Sequence, residues 1–356
     1  MNILQSKLSR RTVLATAAAV ALYNIPSIAV AQNKNVFLLS WGGTIQTMLE
    51  KEGWADRFKE ETGYTVTLVP KATSSEIIAA AIAQKSKPQI DVVMCDIPAW
   101  YQGKEQDIFA SLDPAKIPNI SKLIPAAKIG DKAVSPYADV LAIVYNPELF
   151  AKNGWAKPTS VSDLARPEFK GKLAFPPVSH TYGMYGLIEL ARANGGSEEN
   201  MEPGFAALKK IAPNVVDWTN THAKLAVMFQ QGTIAVALYA SASVNDMVSR
   251  GAPVDSVIPS PSYLSSTVAG IMKNSPNPEG ANALVNWLIS KNVLTYRAER
   301  FGNTPMNVDV TPSGPVGSRV LKGADLAKLL QVDYPAVLKN RPSWNQRFER
   351  EVLPIR

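Results

Sequence analysis

Aromatic rings and small hydroxyls, rather than nucleophiles or metal ligands, occupy the positions of this chain where chemistry could take place. Trp41 with Gly42, Gly43 and Thr44, the run Thr73-Ser74-Ser75, Asp96, Tyr137, Ser179-His180-Thr181-Tyr182, Trp218-Thr219 and Tyr239-Ala240-Ser241 all fall where an apolar, strand-like run gives way to polar sequence. A ring at such a place can stack on a flat or cationic group. A hydroxyl beside the free N–H groups of a helix start can hold an oxygen-rich anion. Each residue also has an ordinary structural role: a strand-end Trp or Tyr closes a core, and a Ser, Thr or Asp before a helix caps it, worth about 1 kcal/mol. Trp41, Tyr239 and Tyr137 stand out because they are large rings at strand ends or between strand systems.

Catalysis finds little support. His180 and His222 are far apart and share no metal-ligand spacing, and the chain has no GxSxG, HExxH, CxxC or phosphate-binding glycine loop. No metal and no cofactor is expected. A nucleophile and base could be assembled only from Ser179 and His180, so an exported hydrolase or lyase remains as a second class. The one cysteine, Cys95, follows Val92-Val93-Met94 and reads as a small buried hydrophobe; no disulfide can form within the chain.

The elements that must position these residues can be read from periodicity. Asn35–Trp41 is a β-rich run, Thr44 sits where a helix cap belongs, and Ile45, Met48, Leu49 and Phe58 recur at helical spacing up to Thr62-Gly63. Tyr64–Val69 reads as a strand, Ser74–Gln84 as a helix and Gln89–Met94 as a buried strand. This β-α-β-α-β order implies parallel strands whose C-terminal ends face a cleft. A second unit follows, with strands at Lys172–Phe175, Asn214–Trp218 and Thr233–Tyr239 and helices at Tyr182–Asn194 and Ala223–Gln231. Val134–Tyr145 looks like an extended segment passing from the first unit to the second, and Pro253–Ser260 is the candidate for the return. Two crossings make a hinge. Helical stretches at Pro278–Phe301, Lys322–Leu330 and Ser343–Leu353 are expected to cover the lobes. The predicted division is 32–138 for the first part of lobe I, 139–255 for lobe II, 256–310 for the return to lobe I and 311–356 for the covering helices.

Residues 1–31 read as an export signal: Lys7, Arg10 and Arg11, an apolar block at Thr12–Tyr23, and Ala29-Val30-Ala31 as a peptidase site. Cleavage after Ala31 would release a periplasmic protein beginning at Gln32. Ser9-Arg10-Arg11-Thr12-Val13-Leu14 also suits twin-arginine export, alongside an ordinary secretory signal. The signal holds three of the 37 Lys and Arg and none of the 30 Asp and Glu, which leaves the remainder at +4. With no basic stripe interleaved with aromatics, nucleic acid is not an expected partner. After Ala31 no apolar run is long enough to span a membrane.

Tyr145-Asn146-Pro147-Glu148-Leu149-Phe150, then Gly154, Pro158, Asp163-Leu164, Pro167 through Lys172 and Phe175-Pro176, resemble the interlobe segment of family-1 extracellular solute-binding proteins of bacterial ABC importers. Phe58–Val69 resembles the family's first helix-to-strand turn, and Asn277–Asn307 its covering helices. Ser40-Trp41-Gly42-Gly43-Thr44 is similar to the opening loop of the spermidine and putrescine branch, which neighbours thiamine, ferric-iron and aminoethylphosphonate binders. The resemblance implies an α/β, two-lobed periplasmic-binding-protein fold of type II, with open mixed sheets and a hinge. It also implies a monomer that closes on a small molecule and delivers it to a membrane permease and its ATPase. Two departures bear on the ligand. Leu238-Tyr239-Ala240-Ser241-Ala242-Ser243 offers hydroxyls where polyamine receptors place acids, with Asp246 a turn beyond, so a multiply charged spermidine would be poorly neutralised. Adjacent tyrosines of the ferric-iron kind are absent from the chain, and Tyr182 and Tyr185, three apart, suit packing. The expected ligand is a small nitrogenous cation such as putrescine or a thiamine-like compound, facing Trp41, Tyr137, Trp218, Tyr239 and Asp96. The rival is an aminophosphonate or phosphorylated anion held by Thr44, Ser74, Ser75 and Thr181 at helix starts.

Overall fold

Val36, Leu38 and Leu39 are all buried because the strand β1 (Asn35–Trp41) is covered on both faces, as a continuous apolar run in a parallel sheet should be. The computed structural model describes residues 34–219, 221–322, 325–326 and 329–355, so the expected export signal and its cleavage site lie outside the described residues. β1 lies between β2 (Thr65–Lys71) and β3 (Val92–Asp96), parallel to both, with Leu38 opposite Leu68 and Val92. The crossovers are helical: α1 (Gly43–Gln46), a π turn at Thr47–Lys51 and α2 (Trp54–Thr62) after β1, and α3 (Ser74–Ala83) after β2. Two expectations fail here. The first helix begins at Gly43 rather than behind a Thr44 cap, because Gly43 takes φ +61°, which residues with a side chain avoid. The helix is also broken at Gly53, whose left-handed backbone (φ 74°) restarts the chain as α2. Gly63 closes α2 as expected, its N–H donating to the Lys59 carbonyl at 2.8 Å.

Beyond β3 come α4 (Ile97–Glu105) and the short strands β4 (Lys128–Ile129) and β5 (Ala133–Val134). The long strand β6 (Tyr137–Tyr145) then leads into α5 (Pro147–Asn153), β7 (Leu173–Ala174), α6 (Thr181–Ala193), α7 (Glu202–Ile211) and β8 (Val215–Asp217). After these lie α8 (His222–Gln230), β9 (Val236–Ala240), α9 (Ser243–Ser249), β10 (Asp255–Val257) and the ten-residue β11 (Ser262–Ile271). The chain ends through α10 (Pro278–Leu288), α11 (Lys291–Phe301), β12 (Thr304–Pro305), α12 (Gly314–Gly317), β13 (Leu329–Leu330) and α13 (Tyr334–Glu351).

The strand order is β2-β1-β3-β11-β6-β9-β7-β8, parallel within each half and antiparallel at the joins β3-β11, β11-β6 and β6-β9. β6 and β11 are therefore the two strands that run between the lobes. The segment Pro253–Ser260, expected to make the return, instead contributes β10, which pairs with β6 at Tyr145–Ile143; the return belongs to β11, which pairs β6 through Leu264–Ser266 and β3 through Thr267–Ile271. Lys322–Leu330 was expected to be helical, yet Leu329–Leu330 extends beside Ser262–Tyr263 of β11. Short apolar runs are ambiguous between helix and strand, and here an available strand edge decides.

Both lobes have apolar cores, and the carboxylate of Asp91, fully buried, fixes the base of the first. It accepts from the N–H groups of Phe37 (2.8 Å) and Asn277 (2.8 Å) and from the Ser275 hydroxyl (2.6 Å), so it ties β1 to the start of α10. Trp287 of α10 packs edge-on against Phe58 of α2 at 5.2 Å. Helix α13 spans the molecule: Tyr334 stacks on Tyr101 of α4, and Phe348 meets Trp218 in the second lobe. Cys95 is buried, as its sequence context predicts. Among the described residues no helix is long and apolar enough to cross a membrane.

Candidate functional site

The C-terminal end of β1 opens a cavity of about 620 Å³ lined by Trp41, Gly42, Gly43, Thr44, Lys71, Glu76 and Tyr137. Five of the residues singled out in the sequence therefore share one concavity. Trp41 is half-buried and packs against both cores while keeping an edge on the cavity. Tyr137 is more occupied than its sequence suggests, because the guanidinium of the buried Arg297 lies 3.8 Å from its ring centroid. That face is already in a cation–π contact.

Beside this cavity, Thr73 caps α3, its hydroxyl accepting from the Glu76 N–H at 3.2 Å, and Ser74 lies against Asp96. The Asp96 N–H donates to the Ser74 hydroxyl at 3.4 Å, while its carboxylate caps α4 by accepting from Ala99 at 3.1 Å. Capping does not exhaust a carboxylate, which has about four lone-pair sites. Burial pushes the Asp96 carboxyl above its ordinary range, against the pull of Ser74, Ala99 and, more weakly, Arg341. Ser75 is exposed at the start of α3.

On the second lobe Thr181 and Tyr182 begin α6, behind His180. The His180 Nδ1 accepts from the Tyr182 N–H at 3.3 Å, so its proton sits on Nε2, 3.5 Å from the Tyr239 hydroxyl. The His180 ring stacks on Tyr239 at 5.3 Å, and Tyr182 lies 5.5 Å from the same ring. Burial, aided by Arg341, pushes the imidazole down to about 4, and it is neutral at physiological pH. His180 therefore caps α6 and stacks on Tyr239. Ser179 offers its carbonyl to Arg341 at 2.7 Å rather than its hydroxyl to the imidazole.

Asp139, on β6, joins the two halves. Its Oδ1 accepts from Asn303 at 3.2 Å and its Oδ2 from the Tyr182 hydroxyl at 3.4 Å. Asn303 in turn accepts from Arg297 at 2.9 Å, and Arg297 reaches the Thr44 hydroxyl at 3.5 Å. A continuous polar chain thus runs from the first cavity, through the hinge strand, to the Tyr182, Tyr239 and His180 cluster. Burial raises the Asp139 carboxyl and lowers the Arg297 guanidinium. Ser241 faces the same hinge, its Oγ accepting from Val140 at 3.3 Å.

Trp218 stands apart from this assembly, held edge-on between Phe175 and Phe348 at 5.7 and 4.9 Å. Its surroundings are those of a packing residue, a consequence of α13 folding back onto the second lobe. Sequence reading missed Asp139, Arg297, Asn303 and Arg341. Arg297 lies inside a helical pattern and Arg341 beside Pro342, so neither carries a local signal; only the fold brings them to the cleft.

The family model described as bacterial extracellular solute-binding protein matches residues 53–320. The chain is 25% identical over 292 residues to a Salmonella typhimurium periplasmic protein named for 2-aminoethylphosphonate binding, covering 77% of this chain and 82% of that one. It is likewise 25% identical over 306 residues to the spermidine/putrescine-binding periplasmic protein of Escherichia coli, covering 83% and 84%. In three dimensions it is similar to the crystal structure of an ABC transporter protein from Clostridium perfringens, with a TM-score of 0.78 and 26% identity over 89% of this chain and 99% of that one. The chain belongs to the bacterial extracellular solute-binding proteins. The matched segment begins after Trp41 and ends before Arg341, so both ends of the candidate site lie outside it.

Proposed function

We propose that this solute-binding protein is the periplasmic substrate-binding component of an ABC transporter, and that it captures a small organic molecule bearing an amino group. The observation that carries the ligand class is Asp96: a carboxylate at the C-terminal end of β3, raised by burial, whose capping bond leaves lone pairs over. An ammonium there would restore its charge. Trp41 supplies the apolar wall of the neighbouring cavity and Thr44 a hydroxyl on it, with the Ser74 hydroxyl against Asp96 and that of Ser241 against β6. Putrescine or a thiamine-like compound fits this description. Spermidine fits less well, because its further ammonium groups find few carboxylates.

The rival class, an aminophosphonate or phosphorylated anion held at the starts of α3 and α6, draws support from Lys71 in the cavity and from Arg341. Thermal-shift measurements on the purified protein with amines and with phosphonates separate the two. A ligand at 100 times its dissociation constant stabilises by about 2.7 kcal/mol. Shifts with amine-bearing compounds are expected, and a shift with a phosphonate lacking an amine, with none from any amine, would overturn the cation reading. The hydrolase reading draws little from the geometry, since the His180 ring nitrogens face the Tyr182 N–H and the Tyr239 hydroxyl rather than Ser179.

A further inference from the structure

Resting on the reading that the two lobes close on a ligand, we propose that the lead into α13 is a third link between them. The stack of Tyr334 on Tyr101 is then a positioning contact that holds the lobes open and sets affinity without touching the ligand. The chain before α13 belongs to the first lobe, where Leu326 and Leu329 are buried in the core. Helix α13 itself is fastened to the second lobe. The Asp333 N–H donates to the Glu198 carboxylate at 2.9 Å and Asn340 to the Glu198 carbonyl at 3.0 Å, while Arg347 pairs with Glu202 at 2.7 Å and Lys209 with Glu351 at 2.8 Å. A rotation about β6 and β11 therefore carries α13 with the second lobe.

Tyr334 is where the two attachments meet. Its hydroxyl lies 2.7 Å from that of Tyr185 on α6, and both hydroxyls face the Leu264 carbonyl of β11, at 3.5 and 3.1 Å. These bonds tie it to the second lobe and to a hinge strand. Its buried ring instead stacks on Tyr101 of α4 in the first lobe, with centroids 5.6 Å apart and planes 27° from parallel. Directional bonds at one end and a flat face at the other let the ring slide over Tyr101 while the hydroxyl stays in place. A cavity of about 190 Å³ lined by Tyr101, Ala126 and Gln331 gives it room, where a close-packed seam would resist. The form described is an open one, because the residues lining the cavity at the end of β1 all come from the first lobe and β6. The stack is thus a contact of the open form that closure gives up. An aromatic pair made in one of two forms biases their ratio by about two- to tenfold. Affinity for a solute held by the closed form rises as that form becomes more populated.

Cys95 is buried and is the one cysteine of the chain, so Glu60→Cys on α2 and Val227→Cys on α8, at exposed positions, take a pair of spin labels across the lobes. Interlabel distances on the ligand-free protein test the idea. Tyr101→Ala, at a half-buried position, is expected to raise the closed-to-open ratio by about two- to tenfold, while Tyr101→Phe, which keeps the ring, behaves as the unaltered protein. In titrations with putrescine and with 2-aminoethylphosphonate, whichever binds should bind Tyr101→Ala tighter by the same factor, a gain that a mere loss of packing would not give. Distances and affinity both unchanged in Tyr101→Ala, a shift toward the open form, weaker binding, or the same change in Tyr101→Phe would each overturn the proposal. A probe that binds without shortening the distance in the unaltered protein would remove lobe closure, and this proposal with it. Should neither probe bind, the amine reading falls while the distances still decide what the stack does.

Discussion

Among the aromatic residues lining the first cavity, Trp41 is the one the proposed site depends on, since Tyr137 is covered by Arg297. It ends β1 just before two glycines, the second of which turns the backbone at positive φ beside the cavity. Trp41→Ala is expected to weaken ligand binding by about 1–3 kcal/mol, the scale for losing an aromatic wall at a desolvated site. Stability should fall by less than the roughly 3–5 kcal/mol typical of a core tryptophan, because part of the ring already faces the cavity. Affinity and urea midpoint measured on the same variant check this. Normal affinity with a large loss of stability would assign Trp41 to the core alone.

Helix α6 shows how an element can carry both site and stability. Its N-terminus presents Thr181 and Tyr182 behind the His180 cap, while the rest of it is buried almost throughout. Glu189 lies on that buried part, 1% exposed, with Oε2 lacking a partner. Burial, with a smaller push from Asp163, drives its carboxyl up to about 7, against the opposing hydrogen bond from Val161. The folded state therefore holds a proton that the unfolded chain releases near its ordinary pKa of 4.5. This contribution is fully present below that value and is lost as pH rises through about 7. Glu189→Gln, which stays neutral throughout, should match the unaltered protein at pH ~4 and exceed it in stability by up to about 3 kcal/mol at pH ~8. Urea midpoints at the two pH values check it, and a gap that does not change with pH would place the Glu189 proton elsewhere.

At the scale of the whole molecule, two adjacent antiparallel strands, β6 and β11, carry the connection between the lobes, and Asp139 on β6 is hydrogen-bonded from both sides. On the function proposed above, a ligand held by Asp96 and Trp41 on one side and near Tyr239 on the other would touch both lobes only when they approach. Its binding energy would then shift the balance between open and closed forms, and we propose that the closed form is the one a permease recognises. Small-angle scattering should report a smaller radius of gyration at saturation with a ligand verified by titration. An unchanged profile would remove lobe closure from the mechanism.

The alternation of β-rich runs with helical spacing in the sequence is enough to determine the α/β class, the parallel halves, the helix start at Ser74 and, to within one residue, the start at Thr181, because each depends on neighbours within a few residues. The strand-end placement of Trp41, Asp96 and Tyr239 was legible for the same reason, whereas Trp218, also just past a strand, packs between Phe175 and Phe348. The break at Gly53 was legible only in part, since a glycine inside a helical pattern signals a cost rather than a left-handed turn. The return through β11 depended on which strand edges were free, and a local pattern holds no record of that. Asp139, Arg297 and Arg341 gained their positions from partners between 43 and 253 residues away in the chain. Their charges could be counted in the sequence, but what each charge faces was settled when α11 and α13 folded back over the lobes, because electrostatic energy depends on distance and burial in space rather than on order along the chain.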